Sequence, residues 1–320
     1  MAMHVESLLI GVDVAKDELV IALSGTDECI TVANQKQAIA AYLKSLHGPV
    51  AIAIEATNVY HLEFVEQAFR KGHTVYLLDG YRLKQYRESI GGRAKTDASD
   101  AKLLLRYLTH EQDDLRPWIP PPEGYQQIQG LLRRRAVLVH AQTTLRQSLR
   151  GMPELRVTTA ALLRKMRQVD QLIQKRLRDT ILRLGWLADV QRCGAIEGIG
   201  PITSIALATL FRRGAFKSAD AYIAFMGMDV RVRDSGKSRG RRKLTKKGDS
   251  EIRRLLYMAA MTACRSARWK SFYESALARG LSRIQALVAL ARKLARIAFA
   301  LLKNQSTYES KIPKEGCATT

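Results

Sequence analysis

Four carboxylates in the first hundred residues occupy positions typical of a catalytic site, at the ends of predicted strands or at the start of a predicted helix. Asp13 interrupts the apolar run 8–14, and Glu55 follows the apolar run 50–54. Asp97 and Asp100 have the i, i+3 spacing that puts two residues on one face of a helix. Hard oxygen ligands suit Mg²⁺ or Mn²⁺, and two such ions promote phosphoryl transfer. We predict a metal-dependent site formed by Asp13, Glu55, Asp97 and Asp100; for the last two, a helix N-cap at Asp97 is the structural alternative.

A strongly basic segment, RVRDSGKSRGRRKLTKK, occupies 231–247 and holds nine Lys or Arg residues against one acid. This composition favours a solvent-exposed loop that holds phosphates. The residues predicted to bind nucleic acid are Arg231, Arg233, Lys237, Arg239, Arg241, Arg242, Lys243, Lys246 and Lys247. Among so many cations a serine alkoxide could attack a phosphate. From the residues alone, both Ser235 and Ser238 qualify.

A glycine turn precedes the apolar stretch 202–211. Gly198 and Gly200 flank Ile199, and Pro201 takes the place of a first helical residue. Glycine turns that open a helix expose backbone N–H groups to phosphate, so we predict that Gly198 and Gly200 bind nucleic acid in the manner of a helix-hairpin-helix turn. An ordinary tight turn between two helices is the alternative.

The charge of the chain is divided unevenly. The 320 residues carry a net charge of +22 with a pI near 10.1. Residues 1–120 hold 13 basic and 16 acidic residues (−3), whereas 121–320 hold 39 basic and 14 acidic residues (+25). Such an excess predicts a polyanionic partner, first of all DNA or RNA. No apolar run is long enough for a bilayer span and no signal peptide is evident, so we expect a cytoplasmic protein without a membrane partner.

The spacing of apolar residues predicts an α/β layer followed by helices. Strands are predicted at 8–14, 19–23, 30–32, 50–54 and 74–78, with helices at 35–46, 60–70 and 98–108. Strands that alternate with helices indicate a partly parallel sheet. A proline cluster at 117–122 marks a domain boundary.

Behind the prolines, helices are predicted at 125–149 and 159–184, with two final helices at 250–267 and 282–303. The second of these four has a coiled-coil seam, formed by Leu162, Met166, Val169, Ile173 and Leu177. The seam could pack within the chain or against a partner helix. The predicted domains are 1–118, 119–188 and 189–320.

Several motifs, taken in order, resemble one family. They are GVDVAK at 11–16, EAT at 55–57, KTDASDA at 95–101, GIG at 198–200 and SGKS at 235–238. This combination resembles the DEDD transposases of insertion sequences, a family that includes the Piv site-specific DNA invertase. The likeness runs from about residue 8 to about residue 300. Two departures are Asn58, where relatives have glycine, and Glu197, where they have proline.

The resemblance implies a fold and a mechanism. The fold is a RuvC-like, ribonuclease H-like α/β N-terminal domain, a helical coiled-coil insert and a mainly α C-terminal transposase domain. The acidic tetrad falls on Asp13, Glu55, Asp97 and Asp100, which hold Mg²⁺, and the nucleophile that forms a phosphoserine link to DNA falls on Ser235. Dimers that pair into tetramers and a structured guide RNA are also implied.

Alternatives remain at this point. A Piv-like invertase acts on inverted sites, and a RuvC-like structure-selective nuclease uses water as the nucleophile while Ser235 only binds phosphate. A nucleic-acid-binding assembly protein with a decayed acidic site is a third possibility. An actin-like ATPase is a fourth, disfavoured because a second glycine-rich phosphate hairpin is missing.

Overall fold

The computed structural model describes residues 8–57, 59–91, 96–231, 234, 235, 238, 239 and 242–309, with backbone only at 234, 235, 238 and 239. The chain divides into two compact units, residues 1–120 and 121–320. Each has its own hydrophobic core.

The first unit contains the predicted strands and helices and one further helix. Its elements are β1 (Leu9–Val14), β2 (Glu18–Leu23), β3 (Cys29–Ala33), α1 (Lys36–Ser45), β4 (Ala51–Glu55), α2 (Leu62–Arg70), β5 (Thr74–Leu78), α3 (Gly80–Ser89) and α4 (Asp97–Glu111). The sequence pattern missed α3 because Leu83 is its only buried residue, which leaves no apolar periodicity to detect. Asp79 caps this helix by accepting a hydrogen bond from the Tyr81 backbone N–H at 2.8 Å.

The five strands form one mixed sheet in the order β3-β2-β1-β4-β5. Strands β1 to β3 are antiparallel neighbours, whereas β4 runs parallel to both β1 and β5. This order and these directions are those of the ribonuclease H-like fold that the sequence resemblance implied.

The two faces of the sheet are covered differently. One face packs its large aliphatic residues, such as Ile10, Val12 and Ile54, against α1 and α2. The other face meets α3 and α4 through small residues, including Ala51 and Ala53. Small side chains allow a helix to approach a sheet closely, so this second face is where α4 comes nearest to the strands.

Gly11 shows how close that approach is. A Cβ at this position would lie less than 3.0 Å from the Ala101 carbonyl oxygen and from the Leu105 amide nitrogen of α4. Only glycine therefore fits where β1 crosses α4. Asp13 is two residues farther along the same strand and points to the same face.

The second unit is mainly helical. It contains α5 (Tyr125–Ser148), α6 (Arg156–Arg183), α7 (Leu187–Gly194), α8 (Pro201–Arg212), α9 (Ala219–Phe225), β6 (Val230–Arg231), β7 (Asp234–Ser235), β8 (Ser238–Arg239), β9 (Lys243–Leu244), α10 (Ser250–Ala263), α11 (Ala267–Ala278) and α12 (Arg283–Asn304). Two predictions were wrong here. Among the described residues after 249 there are three helices where two were predicted, because Ser266 has extended backbone angles that separate α10 from α11. The basic segment contains paired strands where a loop was predicted.

Helices α5 and α6 pack against each other in opposite directions, as the ion pair of Arg135 with Asp170 and that of Arg183 with Glu123 indicate. The N-terminal part of α5 and the C-terminal part of α6 belong to the core of this unit, through Ile128, Leu132, Leu177 and Ile181.

The predicted seam of α6 is only partly the face that α5 covers. Leu177 is fully buried, but Leu162 and Val169 are 46% and 48% exposed. Their neighbours Leu163 and Asp170 turn inward instead, and the Asp170 Oδ1 forms an ion pair with the Arg135 Nε at 2.8 Å. At these two positions of α6 the inward-facing residue is the one that follows the predicted seam residue, and at the second position the contact is a partly buried ion pair in place of an apolar layer.

Candidate active site and nucleic-acid interface

Asp13 and Glu55 lie side by side at one edge of the sheet. The parallel register pairs Val12 with Ile54, so the next residue of each strand is an acid. Both side chains point to the α4 face, since they are two residues from Gly11 and Ala53 respectively. Both are partly buried.

Helix α4 carries the other two acids toward this edge. Its N-cap is Thr96, whose side chain accepts from the Ser99 backbone N–H at 3.2 Å, while the Ser99 hydroxyl accepts from the Thr96 backbone N–H at 2.9 Å. Asp97 is therefore the first helical residue, and the predicted alternative of a cap at Asp97 was wrong. Asp97 is exposed and Asp100 is partly buried.

The four carboxylates share one electrostatic environment. The pKa of Asp13 is raised from 3.8 to about 6; burial is the largest cause, followed by the negative charges of Asp100, Asp97 and Glu55 in that order. A hydrogen bond with the Val14 backbone acts weakly in the opposite direction. Because each of the three other acids affects Asp13, the fold brings together all four residues that the sequence singled out.

Arg87 on α3 is a member of this site that the sequence did not reveal. Its Nη2 lies 2.5 Å from the Asp100 Oδ1, and the two side chains are only 21% and 17% exposed. The Ser99 hydroxyl also donates to the same oxygen at 3.2 Å. Because α3 has no apolar periodicity, nothing in the sequence indicated that one of its arginines would face the acids.

Glu55 meets the beginning of α3. A Cβ at Gly80 would lie less than 3.0 Å from the Glu55 Oε1. Glycine at this first helical position lets the carboxylate reach the N-terminus of the helix, where exposed N–H groups and the helix dipole favour negative charge.

The donor set fits a hard divalent cation by its chemistry. The four carboxylates supply oxygen ligands, and their mutual repulsion is relieved when a cation binds. In the part of the chain that the structure describes, no three Asp, Glu, His or Cys side chains converge into a preformed ion site. Arg87 compensates Asp100 in this state.

The serine segment contains a β-hairpin. Strands β6 and β9 pair at its base, with Arg231 opposite Lys243. Strands β7 and β8 pair at its tip, where Ser235 lies opposite Ser238. The two candidate nucleophiles are thus backbone partners. The predicted Arg233, Lys237 and Arg241 lie outside the described residues, as do the side chains of Ser235 and Arg239.

The base of the hairpin is fixed to the helices. The Thr245 and Lys246 backbone N–H groups donate to the carbonyls of Asp229 and Gly227, each at 3.0 Å. Gly227 packs so closely on the 246–248 backbone that a Cβ would lie 2.6 Å from the Lys247 nitrogen. The described predicted cations, Arg231, Arg242, Lys243, Lys246 and Lys247, are exposed.

The two glycines before α8 differ in their surroundings. Gly198 has φ of +90°, and a Cβ there would lie 2.5 Å from the Ala259 carbonyl oxygen of α10. Gly200 is the N-cap of α8 and is exposed, with nothing within 4 Å of its missing Cβ. Packing explains the glycine at 198, while only Gly200 presents open backbone to solvent.

Within the described residues, the helices are all too short or too polar to cross a bilayer.

Comparison with known proteins agrees with these features. A family model described as transposase, DEDD type of the IS110 group, matches residues 10–158, and a model described as transposase of the IS116/IS110/IS902 family matches residues 191–274. A probable family 20 transposase of Pseudomonas aeruginosa is 27% identical over 93% of this chain and 98% of its own length. Pilin gene-inverting proteins of Moraxella lacunata and Moraxella bovis are 25% identical over 95% of this chain and 98% of theirs.

Among solved structures, Thermus thermophilus RuvC is similar to 35% of this chain over 99% of its own length, at 16% identity and a TM-score of 0.26. The fold assignment rests on the strand order and not on this likeness. The class of protein is that of the transposases, enzymes that cut and rejoin DNA. This chain belongs to the DEDD transposase family of IS110-type insertion sequences.

Proposed function

We propose that this chain is the transposase of an insertion sequence, a site-specific recombinase that joins a serine to DNA during strand exchange. The four-carboxylate cluster carries the proposal, because Asp100, Asp97 and Glu55 all raise the pKa of Asp13. Like charges held together are costly unless a ligand uses them, so such clusters mark functional sites.

In this proposal Asp13, Glu55, Asp97 and Asp100 hold Mg²⁺ or Mn²⁺. Bound by these carboxylates, such ions would supply positive charge to the phosphate and stabilise the oxygens that attack and leave. Arg87 compensates Asp100 before the ions bind, and the N-terminus of α3 orients Glu55. The slightly acidic domain can then accept a phosphate that its own charge would repel.

Ser235 is the proposed nucleophile. Its hydroxyl gives up its proton and attacks phosphorus, an Oγ–P bond forms, and the bond from phosphorus to the leaving deoxyribose oxygen breaks. That oxygen takes up a proton and becomes a hydroxyl. Attack of a deoxyribose hydroxyl on the phosphoserine reverses these changes and rejoins a strand, so no external energy source is required.

The distribution of charge supports a division of tasks. Residues 1–118 form the RuvC-like catalytic domain, 119–188 a helical coiled-coil linker and 189–320 the domain with the serine. The basic residues after position 120 bind DNA in the cytoplasm. Gly198 and Gly200, at the turn before α8, are part of this proposed nucleic-acid surface.

The proposal also includes a structured guide RNA and self-association into dimers and tetramers. The excess of 39 basic over 14 acidic residues behind position 120 is enough for more than one nucleic-acid strand. Leu162, Val169 and Leu172 are exposed on α6 outside the α5 contact. A helix from a second copy would bury this stripe.

Inversion of DNA is a second candidate function. Two relatives that align over 98% of their length are named as pilin gene-inverting proteins, at 25% identity, against 27% for the relative named as a transposase. The chemistry is the same in both, and the arrangement of the DNA sites differs. A RuvC-like nuclease, with water in place of Ser235, is the remaining alternative.

Trapping of a covalent protein–DNA adduct tests the mechanism. The adduct formed by the full chain with Mg²⁺ should map by mass spectrometry to Ser235, and Ser235→Ala should abolish it. Ser238→Ala is the matched control, because Ser238 is the backbone partner of Ser235 in the same hairpin. Attachment at Ser238, or normal cleavage by Ser235→Ala, would contradict the assignment.

Sequencing of nucleic acid that co-purifies with the protein tests the guide. A single structured RNA is expected. If DNA recombines at a normal rate after the preparation is treated with ribonuclease, the guide RNA is excluded and the serine mechanism stands by itself.

A further inference from the structure

A cavity of about 310 Å³ lies in the second unit, where α5 meets α9 and the start of α10. Its volume falls at the lower end of the range for small-molecule pockets, about 300–1,000 Å³. Leu210, Met226 and Ile252 form a buried apolar base, and Tyr125 and Phe225 add aromatic rings to the wall. None of these residues belongs to the acidic cluster or to the serine hairpin.

Gln129 is the polar feature inside this cavity. Its side chain is only 7% exposed, and among the described residues its Nε2 has no hydrogen-bond partner. A buried amide donor without an acceptor is unfavourable. A ligand in the cavity that presents an acceptor to the Gln129 amide would remove this penalty.

Two aromatic side chains, Tyr125 and Phe225, line the cavity. Phe225 is 45% exposed, although Phe216 supports it edge-on at 5.4 Å between ring centroids. The Arg213 guanidinium lies 5.9 Å from the centre of the Tyr125 ring. Burial raises the pKa of Tyr125 above its usual value, so its hydroxyl stays protonated at neutral pH. An exposed aromatic ring beside a cavity is how proteins stack an unpaired base.

Positive charge marks the rim of the cavity. Arg133 on α5 and Lys247 beyond β9 both line it. Asp249, an acid among the described lining residues, is the cap of α10, and its Oδ1 accepts from the Glu251 backbone N–H at 2.8 Å. Lys247 is the last residue of the basic segment 231–247, so a nucleic-acid strand held by that segment would pass the mouth of the cavity.

We propose that this cavity binds one unstacked nucleotide of single-stranded DNA. The base stacks against Phe225 and Tyr125, an acceptor on its edge receives the Gln129 amide, and the adjoining phosphate meets Arg133 and Lys247. Proteins that act on DNA often extrude a nucleotide into such a pocket. This proposal depends on the proposed function in one respect, which is that DNA is taken as the ligand.

Photo-crosslinking locates the base. A single-stranded oligothymidine that carries 5-iododeoxyuridine, bound to the full chain and irradiated, should crosslink to Phe225 or Tyr125. Crosslinks found only at residues outside the cavity would overturn the proposal. A matched RNA strand that crosslinks there more strongly than DNA would overturn the choice of DNA.

Binding measurements test the contacts. Phe225→Ala should weaken binding of the oligothymidine by roughly 5- to 100-fold, the effect of losing one base stack. Gln129→Met should weaken it by roughly 2- to 10-fold, the effect of losing one hydrogen bond. Binding of an abasic strand of equal length should change less than twofold, because its phosphates meet the same cations. Lys270→Gln, an exposed lysine on α11, is the control for an unrelated surface. Equal losses for both strands, or none for either, would contradict the pocket.

The outcome separates this pocket from the serine mechanism. Ser235→Ala should leave the crosslink unchanged while it abolishes the covalent adduct. If Ser235→Ala still forms the adduct but the crosslink maps to Phe225, the mechanism fails and the pocket stands. Unfolding temperatures of Phe225→Ala and Gln129→Met should match that of the native chain; if Phe225→Ala unfolds, Phe225→Leu keeps the volume without the aromatic face.

Discussion

The Arg87 guanidinium lies 2.5 Å from the Asp100 carboxylate, at the border of a cluster of four acids. The cation comes from α3, a helix in which Leu83 is the one fully buried residue. It supplies in part the positive charge that a divalent ion would bring. The pair therefore links the stability of the domain without metal to the response of the site when metal is added.

Removing this arginine should make the domain depend on metal. Arg87→Met should lower the free energy of unfolding in EDTA by about 2 kcal/mol, because it leaves a half-buried carboxylate without its cation. Millimolar Mg²⁺ should raise the free energy of unfolding of Arg87→Met by more than it raises that of the native chain. Urea unfolding with and without Mg²⁺ measures both effects. Lys84→Gln, which breaks an exposed pair with Glu88, should change neither; an equal response of both variants would contradict the link.

Stability without metal should fall as the pH rises through the titration of Asp13. The pKa of this carboxyl is about 6 in the folded domain and 3.8 in a free side chain, so the folded state binds more protons between these values. Its ionisation should cost about 1–3 kcal/mol by pH 7.5, after allowance for solvent screening. Urea unfolding in EDTA at pH 4.5 and 7.5 measures the change. Asp13→Asn should remove it, whereas Asp17→Asn, at an exposed turn, should not.

Gly11→Ala should disturb the site through packing. The added methyl group collides with the backbone of α4 at Ala101 and Leu105, which should destabilise the first unit by about 2–4 kcal/mol. It should also push α4, and with it Asp100, away from Asp13. Thermal unfolding and adduct formation report the two effects. Gly214→Ala has ordinary contacts only, the nearest at 3.8 Å, and should be neutral in both measurements.

The two glycines before α8 should separate a packing role from a binding role. Gly198→Ala should lower stability by at least about 2 kcal/mol, because φ is +90° and the methyl group meets α10. Gly200→Ala should leave stability within about 0.5 kcal/mol and weaken binding to duplex DNA. Thermal unfolding with a DNA titration distinguishes them. If Gly200→Ala binds DNA as tightly as the native chain, the turn is only a connection between helices.

The exposed lysines of the hairpin should determine the salt dependence of binding. Lys243→Gln should reduce the slope of log K against log salt by about 0.9 if that lysine meets one phosphate of duplex DNA. A filter-binding titration over several salt concentrations gives the slope. Lys270→Gln should leave it unchanged, and an unchanged slope for Lys243→Gln would place the DNA elsewhere.

The strands of the first unit could be predicted from the sequence because each is a short apolar run bounded by polar turns. Such runs are typical of strands in a buried sheet. Sequence reasoning found the four acids because they interrupt apolar runs or share a helical face. It missed α3 and Arg87 since a mostly exposed helix leaves no pattern. It left open whether the seam of α6 packs within the chain or against a partner helix. Heptad spacing alone cannot decide this: Leu177 is buried within the unit, whereas Leu162 and Val169 are about half exposed and the neighbouring Asp170 pairs with Arg135.

The α5–α6 pair is rooted in the core of the second unit at Leu177 and Ile181. From Leu177 to the start of α6 at Arg156 is 21 residues, or about 32 Å of helix at 1.5 Å per residue. A tilt of about 10° at the root would therefore carry the far end through roughly 5–6 Å, about the length of one helical turn. The α5–α6 pair would therefore act as a lever arm. A small change in packing around Leu177 would move the far end of the pair by about the size of a side chain.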